Sequence, residues 1–342
     1  DAHEKGDVVV GFAGAEVIVE NTFSVPRTHQ AYMEPHCSLA VMRDGILHVW
    51  APNKNPHGLK QTIAGALGLE PERVVLNPVQ VGGDFGGKGA ALDEPIVGWL
   101  AMRTAKPVKM VMDHTEEMTA GAPRHAGVMR LKTGVTKDGT IVAHEVYGVF
   151  DGGAYGGIRP GAGLGGAGHG AGLYRSANAR SEILRVYTNN LPGGQARAPG
   201  EPQGFFAAES HIDEVARAIR MDPAEFRLRN VIVDGDETMA GVHFQHVRAK
   251  ETLQAALKAA RYSSKRAPGV GRGVAMGFRG PGTGESAARI TLNTDGTVVI
   301  GTPVFEQGTG TYTTARQVVA EELGLEPADL TIEILDTAHS PN

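Results

Sequence analysis

The sequence predicts an α+β protein of repeated strand–helix–strand modules whose strands form mixed sheets. Three observations carry this. Two stretches close on the same five residues, Leu67-Gly68-Leu69-Glu70-Pro71 and Leu323-Gly324-Leu325-Glu326-Pro327. Each is led by an Asp-Gly pair, Asp44-Gly45 and Asp295-Gly296, a hairpin signal because both residues tolerate positive φ. Between the pair and the closure, each reads as a short apolar strand followed by a helix, the mark of a recurring supersecondary unit.

In the first copy the strand is Ile46 to Trp50. Asn55-Pro56 then supplies an N-cap and a first-turn proline for a helix ending at Leu67, and Gly68 suits the left-handed stop. A second strand follows around Val74 to Val81. The second copy runs through a strand Thr297 to Thr302, a glycine-rich loop, a helix from about Thr311, the Gly324 stop and a strand Leu330 to Leu335. A third, looser copy opens at Lys137-Asp138-Gly139-Thr140 and ends at Met221-Asp222-Pro223. Residues 152–172 are about half glycine, with Arg159 and His169 among the few functional side chains. Ordering glycine is entropically costly and adds no side chain to a core, so this is a loop or backbone held close to a ligand. A helix after residue 200 should bury Phe205, Phe206, Ile212, Val215 and Ile219. Another, after a break at 231–247, should bury Leu253, Ala256, Leu257 and Ala260. The organisation expected is a first domain over 1–232 and a second over 233–342.

At 342 residues, 41% hydrophobic and 21% charged, the chain has an ordinary globular composition with ample core material. A net charge of −5 provides no basic field, which argues against a nucleic-acid partner. No apolar run is long enough to span a bilayer and the N-terminus carries no signal peptide, so a cytoplasmic location is expected. The single cysteine, Cys37, rules out an internal disulfide and a cysteine-only metal cluster. Any iron–sulfur centre therefore belongs on another chain. The chain starts at Asp1 and stops at Ser340-Pro341-Asn342, and both ends are expected to continue elsewhere.

The most informative run is Val81-Gly82-Gly83-Asp84-Phe85-Gly86-Gly87-Lys88-Gly89, after an apolar strand and before a helix near Pro95. Glycines there let backbone N–H groups approach an anion. Gly82 to Lys88 also has the spacing of a P-loop, but Gly89 stands where Ser or Thr would hold magnesium. Nucleotide binding and a tight structural turn both remain open on spacing alone. Arg197, in Ala196-Arg197-Ala198-Pro199-Gly200-Glu201-Pro202-Gln203, can present its guanidinium at a helix start. Gln307, in Phe305-Glu306-Gln307-Gly308-Thr309-Gly310, offers donor and acceptor to a heterocycle edge. Glu116-Glu117 point apart, being adjacent, and are expected in a solvated turn. His36 and Cys37 are expected in the core.

In this order these runs resemble the molybdopterin-binding subunits of the xanthine dehydrogenase/aldehyde oxidase family, from about Asp7 to Asn342. Gly82 to Lys88 looks like that family's Gly-Gly-x-Phe-Gly-Gly-Lys signature. Arg197-Ala198-Pro199-Gly200-x-Pro202-Gln203, then Glu209 and Asp222-Pro223-x-Glu225-x-Arg227-x-x-Asn230, is similar to its central segment. Gln307-Gly308 resembles its glutamine–glycine turn at the pterin. The resemblance implies the molybdopterin-binding domain type of α+β fold and a molybdenum–molybdopterin cofactor in the cytosine dinucleotide form. The pterin dithiolene, and no side chain, would ligate the metal. Gly83, Phe85, Gly86, Arg197, Gln307 and Gly308 would contact the cofactor; Gly89, Gly165, Ala196 and Phe278 would line the substrate pocket. The implied reaction hydroxylates an aldehyde or electron-poor N-heterocycle, and electrons leave through iron–sulfur clusters to FAD.

The implied partners are an iron–sulfur subunit, a FAD subunit, a complementary molybdopterin-binding chain and a small-molecule substrate. The family's general-base glutamate and an earlier domain would lie outside this chain, so no catalytic residue is expected within it. Gly89 and Gly165 stand where purine-oxidising members carry an acid and an arginine, which argues against xanthine. Thr28 stands where many members carry a glutamine, with Gln30 nearby as a substitute. A non-catalytic assembly module of the same fold is the competing expectation, and a P-loop-like protein the third.

Overall fold

The computed structural model describes residues 2–155, 164–168, 172–237, 243–280 and 287–341; Arg159 and His169 lie outside them. In chain order the strands are β1 (Ala2–Lys5), β2 (Val17–Val25), β3 (Cys37–Arg43), β4 (Ile46–Trp50), β5 (Val74–Asn77) and β6 (Val108–Val111). They continue with β7 (Gly127–Val135), β8 (Ile141–Gly153), β9 (Ala179–Tyr187), β10 (Arg289–Leu292), β11 (Val298–Thr302) and β12 (Leu330–Ile334). The helices are α1 (Val8–Ala13), α2 (Pro56–Leu67), α3 (Glu94–Thr104), α4 (His114–Ala120) and α5 (Gly165–Gly168). After them come α6 (Glu201–Ala218), α7 (Pro223–Asn230), α8 (Ala249–Ala259) and α9 (Thr311–Leu323). Among the described residues these strands form three sheets, ordered β1-β9-β8-β7-β2, β5-β4-β3-β6 and β10-β11-β12. Each mixes parallel and antiparallel pairs, so the fold is α+β as expected.

The first repeat copy is the β4–α2–β5 crossover. Asn55 Oδ1 accepts from Gly58 N at 3.2 Å, Pro56 takes the first turn, and Gly68 closes the helix at φ 65° with its N–H on Ala64 O. The second copy, β11–α9–β12, closes identically: Gly324 has φ 66° and donates to Ala320 O. In both, the strands flanking the helix pair in parallel. The copies also touch. Leu76 N donates to Thr337 Oγ1 at 2.9 Å, Thr337 N donates to Leu76 O at 3.1 Å, and Val81 N donates to Glu306 O at 3.0 Å. Those bonds set the loop after β5 beside the loop after β11.

Several expectations are corrected. The strand read to Val81 ends at Asn77, where Pro78 leaves the ladder and Val81 bonds the second copy instead. The third copy is not a module. Asp138-Gly139 turns β7 into antiparallel β8, with Gly139 at φ 86°, and Asp222 caps α7 through Ala224 N at 2.8 Å. Phe206 is 51% exposed, its ring edge against Phe23, while α6 buries Ile212 and Val215 against Val135, Ile141 and Phe226. Of the stripe expected on α8, Leu253 is buried and Ala256 and Ala260 are exposed. No described helix is long and apolar enough to cross a membrane.

Candidate functional site

The turn after β5 is organised by its own carboxylate. Asp84 is buried; its Oδ2 accepts from Gly86 N at 2.7 Å and its Oδ1 from Lys88 N at 2.6 Å. Lys54 Nζ completes the set, donating to Oδ2 at 2.8 Å. Phe85 is thereby held at φ 45°, a left-handed conformation uncommon for an aromatic residue, with its ring 46% exposed. Gly86 follows at φ 106°, and a Cβ there would stand 2.7 Å from Gln195 O. Only glycine permits that approach. Across the gap Arg197 N donates to Phe85 O at 2.7 Å, and Ala198 is again left-handed at φ 58°. The two backbones are pressed together and the Phe85 ring and Arg197 side chain project from the seam.

The third wall is the loop after β11. Glu306 Oε1 gathers the N–H groups of Gly308 and Thr309 at 2.8 Å and Gly310 at 3.1 Å. Burial would raise its pKa, but these bonds and that of Tyr312 N outweigh it and hold the carboxyl below its ordinary value. Gln307 is thus presented between the two copies.

These walls enclose a cavity of about 610 Å³ that brings together Phe85, Gly86, Ala196, Arg197, Gln307 and Gly308. Lys54, Asp84 and Arg279 add charges to its lining. The Oε1 of Gln307 is buried without a hydrogen-bond partner, and the Arg197 guanidinium has none among the described residues. A buried amide oxygen left unpaired is costly, so a ligand donor is the natural complement. A second hollow of about 300 Å³ lies on the other side of Phe85, lined by Thr28, Gln30, Arg124 and Arg197. Gln30 Nε2 is spent on backbone there, donating to Ala122 O at 2.8 Å and Gln195 O at 2.5 Å.

Gly83, Gly89 and Phe278 are not among the described residues that line the large cavity. Gly83, at φ 94°, lies against the Tyr32 side chain, and Gly89 against Lys54. Gly165 begins α5, which rests on α6. The Phe278 ring packs edge-on to Phe205 and Phe244, at 5.7 and 5.1 Å between centroids, leaving its neighbour Arg279 to line the cavity.

Sequence reasoning missed the support beneath the turn. Glu117 is 0% exposed, the reverse of the solvated turn expected. It accepts from Tyr32 OH, from His36 N at 2.6 Å and from His36 Nδ1 at 3.0 Å. Burial opposes its charge, but these bonds prevail and bring its pKa down to about 2. Glu116 instead closes a capping box with Asp113. A signal was present: once Asp113 and Glu116 are read as that box, Glu117 must face the other way. The Tyr32 ring carries Lys88 Nζ on its face at 4.7 Å, and that ammonium, on a 0% exposed side chain, donates to Glu34 at 2.6 Å. The P-loop expectation fails here. Its lysine is buried and paired, and the N–H groups of Gly86 and Lys88 are consumed by Asp84.

Comparison with known proteins bears on the family and the fold. Family models described as molybdopterin cofactor-binding domain match residues 1–231 and 248–342. The xanthine dehydrogenase molybdenum-binding subunit of Escherichia coli O157:H7 is 30% identical over 98% of this chain and 47% of its own length. The aldehyde oxidoreductase molybdenum-binding subunit PaoC of Escherichia coli (strain K12) is 32% identical over 97% of this chain and 46% of its own. The chain thus spans about half the length of these curated relatives. Among solved structures, the aldehyde oxidoreductase of Desulfovibrio desulfuricans superposes with a TM-score of 0.90 at 27% identity, over 100% of this chain and 40% of that one. The quinoline 2-oxidoreductase of Pseudomonas putida superposes equally well, at 0.90, over 99% of this chain and 47% of that one, but at 23% identity this speaks for the fold alone.

Proposed function

Because this chain belongs to the molybdopterin cofactor-binding family of the xanthine dehydrogenase/aldehyde oxidase type, we propose that its central cavity holds molybdopterin in an oxidoreductase that hydroxylates an aldehyde or N-heterocycle. The observation that carries this is the convergence of Phe85, Gly86, Arg197 and Gln307, from three separate loops, on one cavity, with the Gln307 amide oxygen buried and unpartnered. The residues fit the group. Gln307 and the Gly308 turn would hold the pterin, whose ring N–H groups satisfy a buried amide oxygen. The Phe85–Gly86 backbone and Arg197 would border its metal end, with Gly83 holding the turn in shape from behind. Bound there, the cofactor would supply the oxidation of an electron-poor carbon with oxygen from water.

This chain's own contribution is binding, orientation and charge. The Phe85 carbonyl fixes the Arg197 main chain through its N–H at 2.7 Å, so the side chain starts from the cavity wall, where its guanidinium would favour developing negative charge. Ala196 would form part of the substrate side, with Gly89, Gly165 and Phe278 shaping it from the surrounding layer. The cofactor would be the cytosine dinucleotide form. Iron–sulfur and FAD subunits would take the electrons, and a complementary molybdopterin-binding chain would supply the general base, all in the cytoplasm. The test is to purify the native assembly, measure molybdenum by elemental mass spectrometry and identify every chain that accompanies it. Stoichiometric molybdenum is expected; its absence, with no such partners, would refute the reading.

A further inference from the structure

We propose that Arg279, held in place by Glu201, selects substrates that carry a carboxylate, most simply on an aromatic body; this rests on reading the cavity as the oxidation site. Glu201 opens α6 and is buried, its carboxyl wedged against Gly166, where a Cβ would collide with it. Its Oε1 accepts from Arg279 Nη1, and its Oε2 is buried with no partner. A carboxylate so confined fixes the guanidinium, yet the pair uses one of the five N–H donors an arginine has. The Arg279 side chain remains 57% exposed and lines the cavity.

Charge around the cavity does not cancel. Lys54 is matched by Asp84 at 2.8 Å and Arg279 by Glu201, which leaves Arg197 uncompensated among the described residues. The lining therefore favours an anion. A neutral aldehyde or heterocycle leaves Arg279 without a use, whereas a planar carboxylate matches the arginine fork with two parallel hydrogen bonds. Phe85 and Pro199 on the same lining supply the apolar surface against which an aromatic ring would lie. The same cations would also suit the cofactor's phosphate, so the test must separate the two sources.

The experiment is calorimetric titration of the purified native assembly with benzoate and with benzamide, comparing the parent with Arg279→Gln and Glu201→Gln. Molybdenum and pterin content are measured on each sample. Benzoate is expected to bind on the order of tenfold more tightly than benzamide, the size of one charge-assisted hydrogen-bond set. That gap should shrink severalfold in Arg279→Gln, where Arg197 alone remains, and shrink less in Glu201→Gln, while cofactor content is unchanged. Equal affinities in the parent, or a gap undiminished in Arg279→Gln, would overturn the proposal. So would loss of pterin from Arg279→Gln, which would assign the arginine to the cofactor's phosphate. A parent assembly without molybdenum would instead defeat the reading of the site as a molybdenum centre, and the benzoate-to-benzamide ratio would still decide the role of Arg279.

Discussion

The two repeat copies share a closing sequence, a left-handed glycine stop and a parallel strand pair, yet they differ in how far they are buried. In the first, α2 and α3 lie side by side over the sheet, and Ala40, Leu47, Val49, Leu59, Ile63 and Leu76 form a closed core. In the second, the core draws on β11, β12 and α9, while Val318, Leu323 and Leu325 remain exposed. Local signals therefore set the element and its ends, and the neighbours an element acquires set what it contributes to stability. Both copies face the site: the loop after the first carries Phe85 to the cavity, the loop after the second carries Gln307, and Thr337 ties the second back to Leu76.

Truncation at matching positions should expose the difference most strongly. Ile63 and Val319 each precede the alanine that accepts the glycine cap, but Ile63 is 0% exposed and Val319 only partly buried. Ile63→Ala should cost about 2–5 kcal/mol by urea unfolding, in the range of large-to-small core changes. Val319→Ala should cost about 1 kcal/mol or less, as partial burial of two methyl groups implies. Equal losses would mean the copies are equally packed.

Acid should distinguish the halves next. His211 and His125 are kept neutral chiefly by burial, with pKa values brought down to about 3 and about 4 from an ordinary 6.5. The unfolded chain binds more protons between those values, so stability is present above about pH 6.5 and is lost as pH falls toward them, by about 1.4 kcal/mol per pH unit for each histidine. Glu117, depressed to about 2, adds a loss that begins below its ordinary value of 4.5. No histidine among residues 289–341 is buried in the described structure. Hydrogen exchange followed down the pH scale should show β7, β8 and α6 losing protection before β11 and β12; the opposite order would contradict this account.

The smallest effect concerns what the copies share. Gly68→Ala and Gly324→Ala meet no atom within 4 Å, so each should cost only the left-handed backbone strain, about 1–2 kcal/mol, and the two should match. A clear inequality in thermal unfolding would show that burial reaches even the caps.

The same division explains what is legible in the sequence. The ends of β4, α2 and α9 follow from Asp-Gly, Asn55-Pro56 and the glycine stops, all local chemistry. The signature turn is legible as a ligand-facing loop, but Asp84 as its organiser is not, because its bond to Lys54 depends on the approach to α2. Glu117 reads as solvated because its partners Tyr32 and His36 lie more than eighty residues away in the chain. Asp138-Gly139 reads as a module start because a hairpin turn looks alike whether a helix or a strand follows. Periodicity points to Phe206 and resemblance to Phe278, and neither reports which ring its neighbours leave room for.

Whether the cavity holds the pterin is decided by an electron cryo-microscopy map of the native assembly, at a resolution that shows bound cofactor. The account predicts density filling the space between Phe85, Arg197 and Gln307, with the Gln307 amide oxygen facing a pterin N–H. A cavity holding only solvent, with the cofactor elsewhere or missing, would contradict it.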